Sequence, residues 1–150
     1  MKLYTSYYGN LKKIPSDFFL VSASGGLTEE LKMAVDSWDT DLAPTKSIFN
    51  DYKKDGDWEK YVTRFKSDVL PKIDWLEKLV EWEEKANKLN KYLDNIVVFC
   101  YEVPTDHCHR HLLAEHFENE FKCEVKEFGH EKMIRDGYKL MVANNTDILF

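Results

Sequence analysis

The stretch Asn95–Tyr101, "NIVVFCY", is the most strand-like segment of the chain, and it runs through Glu102–Asp106, "EVPTD", into His107–Phe121, "HCHRHLLAEHFENEF". A short continuous apolar run suits a strand buried on both faces, while Leu112, Leu113, His116 and Phe117 mark the apolar side of a helix. Together they read as strand, tight turn and amphipathic helix. That order decides the fold class, because a strand followed by a helix is the repeating unit of a parallel sheet.

The rest of the chain extends the pattern. "KLYTSYY" (Lys2–Tyr8) is rich in β-branched and aromatic residues and ends at the Gly9-Asn10 turn signal, so it reads as a first strand. After Pro15-Ser16-Asp17, "FFLVSAS" (Phe18–Ser24) reads as a buried strand stopped by Gly25-Gly26. Thr28 followed by Glu29-Glu30 marks a helix start, with Leu31, Val35 and Trp38 at helical spacing. Pro44 lies in a loop, followed by a short helix and a turn at Gly56. From Trp58 to about Leu93 the pattern is helical, with one stripe at Trp58, Tyr61 and Phe65 and another at Trp75, Leu79 and Trp82. Pro71 breaks it between them. "CEVKEF" (Cys123–Phe128) reads as a last short strand. Beyond Gly129, "YKLMVA" suits an edge strand and "NNTDILF" a loosely held end. The expectation is an α/β protein, a single domain over residues 1–150 with a small, mainly parallel sheet flanked by helices in a Rossmann-like three-layer arrangement. Its core spans about residues 2–128, with 129–150 as a C-terminal extension.

Composition narrows the function classes. At 150 residues, 43% apolar and 14% aromatic, the chain has material for one sizeable core. A net charge of −6 argues against general affinity for nucleic acid or anionic membranes, while leaving room for a local basic pocket. No basic-plus-apolar signal segment opens the sequence, and no apolar run approaches the roughly 20 residues of a membrane span. Three irregularly spaced cysteines argue against a disulfide framework and for a reducing, cytoplasmic setting.

The chemistry-bearing residues gather in the turn after "NIVVFCY". In a parallel sheet, ligands sit outside the carboxyl edge, where strands give way to helices. The strand delivers Cys100 and Glu102 to that edge, and Thr105 or Asp106 suits the N-cap of the next helix. The N–H groups of Cys108, His109 and Arg110 would then be open donors. With the helix dipole and the Arg110 fork, they make an anion cradle. A thiol at a helix start is activated, His109 exchanges protons near neutral pH, and Glu102 orients one of its neighbours. This set serves thiol chemistry on a phosphorylated or carboxylated substrate and plain binding equally well. Blander readings stand beside it: Asp106 as a cap, Cys100 as a small core residue, Cys123 as a structural cysteine. His107 and His111 share a helix face, as paired zinc ligands do, yet no CxxC accompanies them and no metal is assigned. No GxxxxGK[ST] and no GxGxxG loop occurs, and no cofactor is implied.

Four blocks, "YTSYYGN", "LVSASGG", "LAPTKSIFNDYKK" and "VVFCYEVPTDHCHRHLLAEHF", resemble in order and content the YeaO-like proteins, domain-of-unknown-function family 488, found in prokaryotes and phages. The specific feature is a C-x-E followed by C-H-R before an amphipathic helix, and the resemblance covers most of Lys2 to Phe128. It implies site roles for Cys100, Glu102, Cys108, His109 and Arg110, with Ser6, Tyr7, Gly9, Pro44 and Lys46 as further positions. In a doubly wound sheet Ser6 and Tyr8 would reach the same pocket. The resulting expectation is a site for a small anionic ligand, most simply a nucleotide or another phosphorylated molecule. Cys108, His109 and Glu102 are its catalytic candidates, and Arg110, Cys100, Ser6, Tyr8 and Lys46 its ligand-binding ones. Two alternatives remain: a non-enzymatic interaction or ligand-sequestering module docking through the aromatic helices, with Trp75 or Trp82 in an exposed patch, and a metal-dependent hydrolase.

Overall fold

A computed structural model describes residues 1–136 and 139–142. Its centre is a five-stranded parallel sheet of order β3-β2-β4-β1-β5, formed by β1 (Lys2–Tyr7), β2 (Phe19–Ser22), β3 (Ser37–Trp38), β4 (Asn95–Cys100) and β5 (Lys126–Glu127). The "NIVVFC" run is the middle strand, paired with β1 on one side and β2 on the other. That position explains its composition, since a parallel strand covered on both faces has no use for alternating polar residues. The protein is thus the expected small α/β domain.

Helices α1 (Glu29–Ala34), α2 (Lys46–Asp55), α3 (Trp58–Asp68), α4 (Trp75–Lys88) and α5 (His109–Phe121) connect the strands. Each start from α1 to α4 carries a side-chain cap: Thr28, Thr45, Asp57 and Asp74 accept from the backbone N–H three residues on. Gly56, at φ +64°, closes α2 in the left-handed conformation that a residue without Cβ adopts at least cost. Pro71 sits in a 3-10 turn, Leu70–Lys72, and separates α3 from α4 as its ring demands.

One apolar cluster joins the sheet to the helices. Phe19, Val21, Ile96 and Val98 of the strands are buried with Phe65 of α3, Trp75 and Trp82 of α4, and Leu112 and Phe117 of α5. The aromatic stripes therefore serve the core, with Trp58 and Leu79 partly buried against it. Trp75 and Trp82 are 3% and 0% exposed, so the docking patch expected around them is not formed. Trp82 also donates its indole N–H to the buried Asp39 carboxylate at 2.7 Å, and Asp39 in turn faces Lys78 at 3.2 Å. On the sheet's other face, Tyr8 stacks on Phe99 and Asn10 donates to Ser6 Oγ.

Three boundaries differ from expectation. The helix begun at Thr28 ends at Ala34, because Ser37 and Trp38 are drawn into pairing with β2 as the edge strand β3. The helix after β4 begins at His109 and not near His107, since Val103–Asp106 closes a turn of its own (Asp106 N–H to Val103 C=O, 3.0 Å) and Cys108 becomes the N-cap. The strand in "YKLMVA" is β7 (Lys139–Val142), which pairs antiparallel with β6 (Met133–Asp136) in a separate hairpin and not at the edge of the main sheet. The "NNTDILF" tail lies outside the described residues. Among the described residues no helix is long and apolar enough to cross a membrane.

Candidate functional site

Where β2 and β4 end, the chain opens a cavity of about 390 Å³. It lies at the carboxyl edge of adjacent strands whose connections leave in opposite directions, which is where parallel sheets take ligands. Its size falls in the range of small-molecule pockets, roughly 300–1,000 Å³. One wall is the Ser24-Gly25-Gly26 turn after β2, and another comes from α2 and α3 with Lys46, Phe49, Tyr52, Trp58 and Tyr61. Cys100, Glu102, Cys108 and His109 line it from β4 and the turn into α5.

Aromatic rings dominate the walls. Trp58 stacks on Tyr61 and on His107, each at 4.6 Å between ring centres. Tyr101 donates to the Gly26 carbonyl at 2.9 Å, tying the ends of β4 and β2 together. Phe49 and Tyr101 are about half exposed and offer open ring surface. Burial raises the Tyr61 hydroxyl far above its ordinary pKa, so it stays protonated.

Two sulfurs and an imidazole form the reactive cluster. One ligand atom from each of Cys100, Cys108 and His109 lies within 4.8 Å of the other two. Cys100 Sγ is 3.6 Å from His109 Nδ1 and 3.6 Å from Glu102 Oε2. His109 Nε2 meets the Ala23 carbonyl at 2.7 Å, and since a carbonyl only accepts, that nitrogen carries the proton. In the neutral ring Nδ1 is therefore the lone-pair nitrogen, and Cys100 Sγ, which is also 3.8 Å from Nε2, sits beside the ring between the two nitrogens. Burial pushes the Cys108 thiol well above its usual pKa, with the Cys100 sulfur adding to the effect and His109 opposing it. For His109, burial works against the charged ring, but the Cys108 sulfur, the Ala23 carbonyl and Glu102 outweigh it and raise its pKa.

The expected site residues thus divide. Cys100, Glu102, Cys108, His109 and Lys46 line one cavity. Arg110 does not. Its guanidinium, 0% exposed, forms a buried ion pair with Glu127 of β5 at 2.9 Å and donates to the Glu102 carbonyl at 2.7 Å. Charge and geometry both commit it to the core, so the anion cradle built around it is not present. Ser6 is fully buried and accepts from Asn10, while Tyr8 holds Ser22 and Ser24 through its hydroxyl at 2.5 and 2.8 Å and meets Tyr101 edge-on, supporting the wall from behind. Cys123, expected to be structural, is exposed. Trp58 and Tyr61, a helical stripe in the sequence, line the cavity together with Phe49, Tyr52 and Tyr101, which the sequence pattern does not single out. The available signal was their position in "IFNDY" and "CYE", next to blocks already singled out.

The model of the family described as the "Active DUF488-N3 subclade", DUF488-N3a, matches residues 20–121, more than half of the chain. The chain belongs to this family. The matched span runs from β2 through α5 and so includes every residue lining the cavity. No curated protein and no solved structure matches the chain.

Proposed function

We propose that this DUF488-N3a protein binds a nucleotide or a closely similar phosphorylated small molecule in the cavity between β2, β4 and the α2–α3 pair. The observation that carries the reading is an aromatic-walled pocket with a lysine in its lining. Flat rings stack on aromatic faces with a gain of roughly 0.5–1.5 kcal/mol beyond their buried area. A nucleobase beside Phe49, Tyr52 and Tyr101 meets that condition. Lys46, at the first position of α2, combines its own charge with the positive end of the helix, and the two favour a phosphate. Cys108, His109 and Glu102 are the groups placed to act on the bound molecule, and the description of the family as active supports a chemical role for them.

Thermal-shift titration against a panel of nucleosides and nucleotides tests this. A phosphorylated member stabilises the protein in a concentration-dependent way. Lys46→Ala weakens nucleotides but leaves nucleosides nearly unchanged, whereas Phe49→Ala weakens both. If no member of the panel at millimolar concentration moves the melting temperature, the reading is wrong.

A further inference from the structure

The Cys100–Cys108–His109 cluster has features that ligand binding alone does not require. The three residues come from the end of β4, the N-cap of α5 and its first helical turn, and all are buried, yet each lines the cavity. Tetrahedral bonds of about 2.3 Å to sulfur and about 2.0 Å to nitrogen hold those atoms about 3.5 Å apart. Cys100 Sγ and His109 Nδ1 stand 3.6 Å apart already, and since the same sulfur is 3.8 Å from Nε2, shared coordination requires only a local turn of the Cys100 side chain toward the Nδ1 lone pair. The tautomer is also set: His109 donates its other ring N–H to the Ala23 carbonyl, the outer contact that metal-bound histidines almost always make.

We infer that Cys100, Cys108 and His109 form a zinc site whose fourth position opens into the cavity. Mixed sulfur and imidazole donors select a borderline-soft cation over magnesium, calcium or manganese. Charge supports the choice. Loading converts two thiols to thiolates and releases their protons to solvent, so zinc, two thiolates and a neutral imidazole sum to zero and can be buried without a counter-ion. Arg110, whose charge would otherwise oppose a cation close by, is already neutralised by Glu127. The histidines at helical spacing take no part, since His107 stacks on Trp58 and His111 Nδ1 accepts from Arg135. Three protein ligands and an open position are the arrangement of catalytic rather than structural zinc. Water held there would lose its proton near neutral pH, and Glu102, beside Cys100 and lining the same cavity, is the carboxylate positioned to accept it.

The site stands on its own ligands and not on the nucleotide reading, so its test uses metal alone. Protein purified without a histidine tag, under reducing conditions, is analysed for metal and then titrated with cobalt as a spectroscopic substitute for zinc. One equivalent of zinc is expected, together with intense thiolate-to-cobalt charge-transfer absorption, cobalt displacement by zinc, and the release of about two protons per metal ion. Cys108→Ser and His109→Ala lower zinc affinity at least tenfold, and Cys123→Ser leaves it unchanged. The wild-type cobalt spectrum needs no variant and so covers the case in which a buried substitution prevents folding. Cobalt binding without thiolate absorption, or zinc retained equally by a folded Cys108→Ser protein, overturns the assignment. So does wild-type protein that takes up no metal.

Discussion

Replacing Glu127 by glutamine tests whether the Arg110 charge belongs to the core. Glu127 accepts from Arg110 through Nε at 3.2 Å and Nη2 at 2.9 Å, and from the Thr5 hydroxyl, while both members of the ion pair are shielded from solvent. Glutamine keeps the volume and one acceptor but removes the negative charge, leaving the Arg110 guanidinium buried without its counter-ion. Breaking a buried pair from one side costs about 3–5 kcal/mol. In a chain of this size that corresponds to a fall of roughly 6–20 °C in melting temperature. Arg135 shares Thr5 with Glu127, donating to its Oγ1 at 2.9 Å, which places the loss toward the upper end.

Urea unfolding at pH 7, followed by tryptophan fluorescence, measures the difference directly. A second arm replaces both partners, Arg110→Met with Glu127→Leu. Because neither charge is then stranded, the pair of substitutions costs less than the two single losses added together, by about 1–3 kcal/mol. Ligand affinity of the folded Glu127→Gln protein stays unchanged, since neither side chain lines the cavity. A loss below about 1 kcal/mol combined with weakened nucleotide binding would refute the reasoning and return Arg110 to the pocket.

Two further outcomes follow from buried polar contacts. Trp82→Phe keeps the ring in the core but removes the donor to Asp39, leaving that buried carboxylate short of a partner; about 1.5–3 kcal/mol of stability is lost, read by denaturant midpoint at constant m-value. His111 has its pKa pushed down from 6.5 to about 2 by burial and by the neighbouring Arg110 and Arg135, so the unfolded chain takes up a proton that the folded protein refuses. Its contribution is present above pH 6.5 and lost as pH falls, reaching about 1.4 kcal/mol at pH 5.5; His111→Gln removes that part of the acid slope, and an unaltered slope between pH 7.5 and 5.5 would contradict it.

What the sequence made legible, and what it hid, follows from how far each residue's partners lie along the chain. Strand β4 was readable because burial on both faces imprints on five consecutive residues, Ile96 to Cys100, and α2, α3 and α4 because capping residues and apolar spacing are local. Strand β3 was hidden: two residues carry no periodicity, and Ser37 and Trp38 become strand only because β2 offers them a free edge. The cluster of Cys100, Cys108 and His109 was visible as composition, but its arginine was not placed. Successive residues of a helix point about 100° apart, so His109 and Arg110, both helical, do not face one guest. With His109 turned to the cavity, Arg110 faces the β1–β5 side, where it needs a carboxylate. That carboxylate is Glu127, seventeen residues on in a two-residue strand. In "CEVKEF" it looks like any solvated glutamate. Its burial is decided by β1, whose Thr5 pairs with it in register and shares its side chain. The same contact holds the Arg110 charge on the sheet side and leaves Lys46, among the described residues, as the cation lining the cavity, and so the position of one glutamate at the sheet edge decides which positive charge the thiol pair meets.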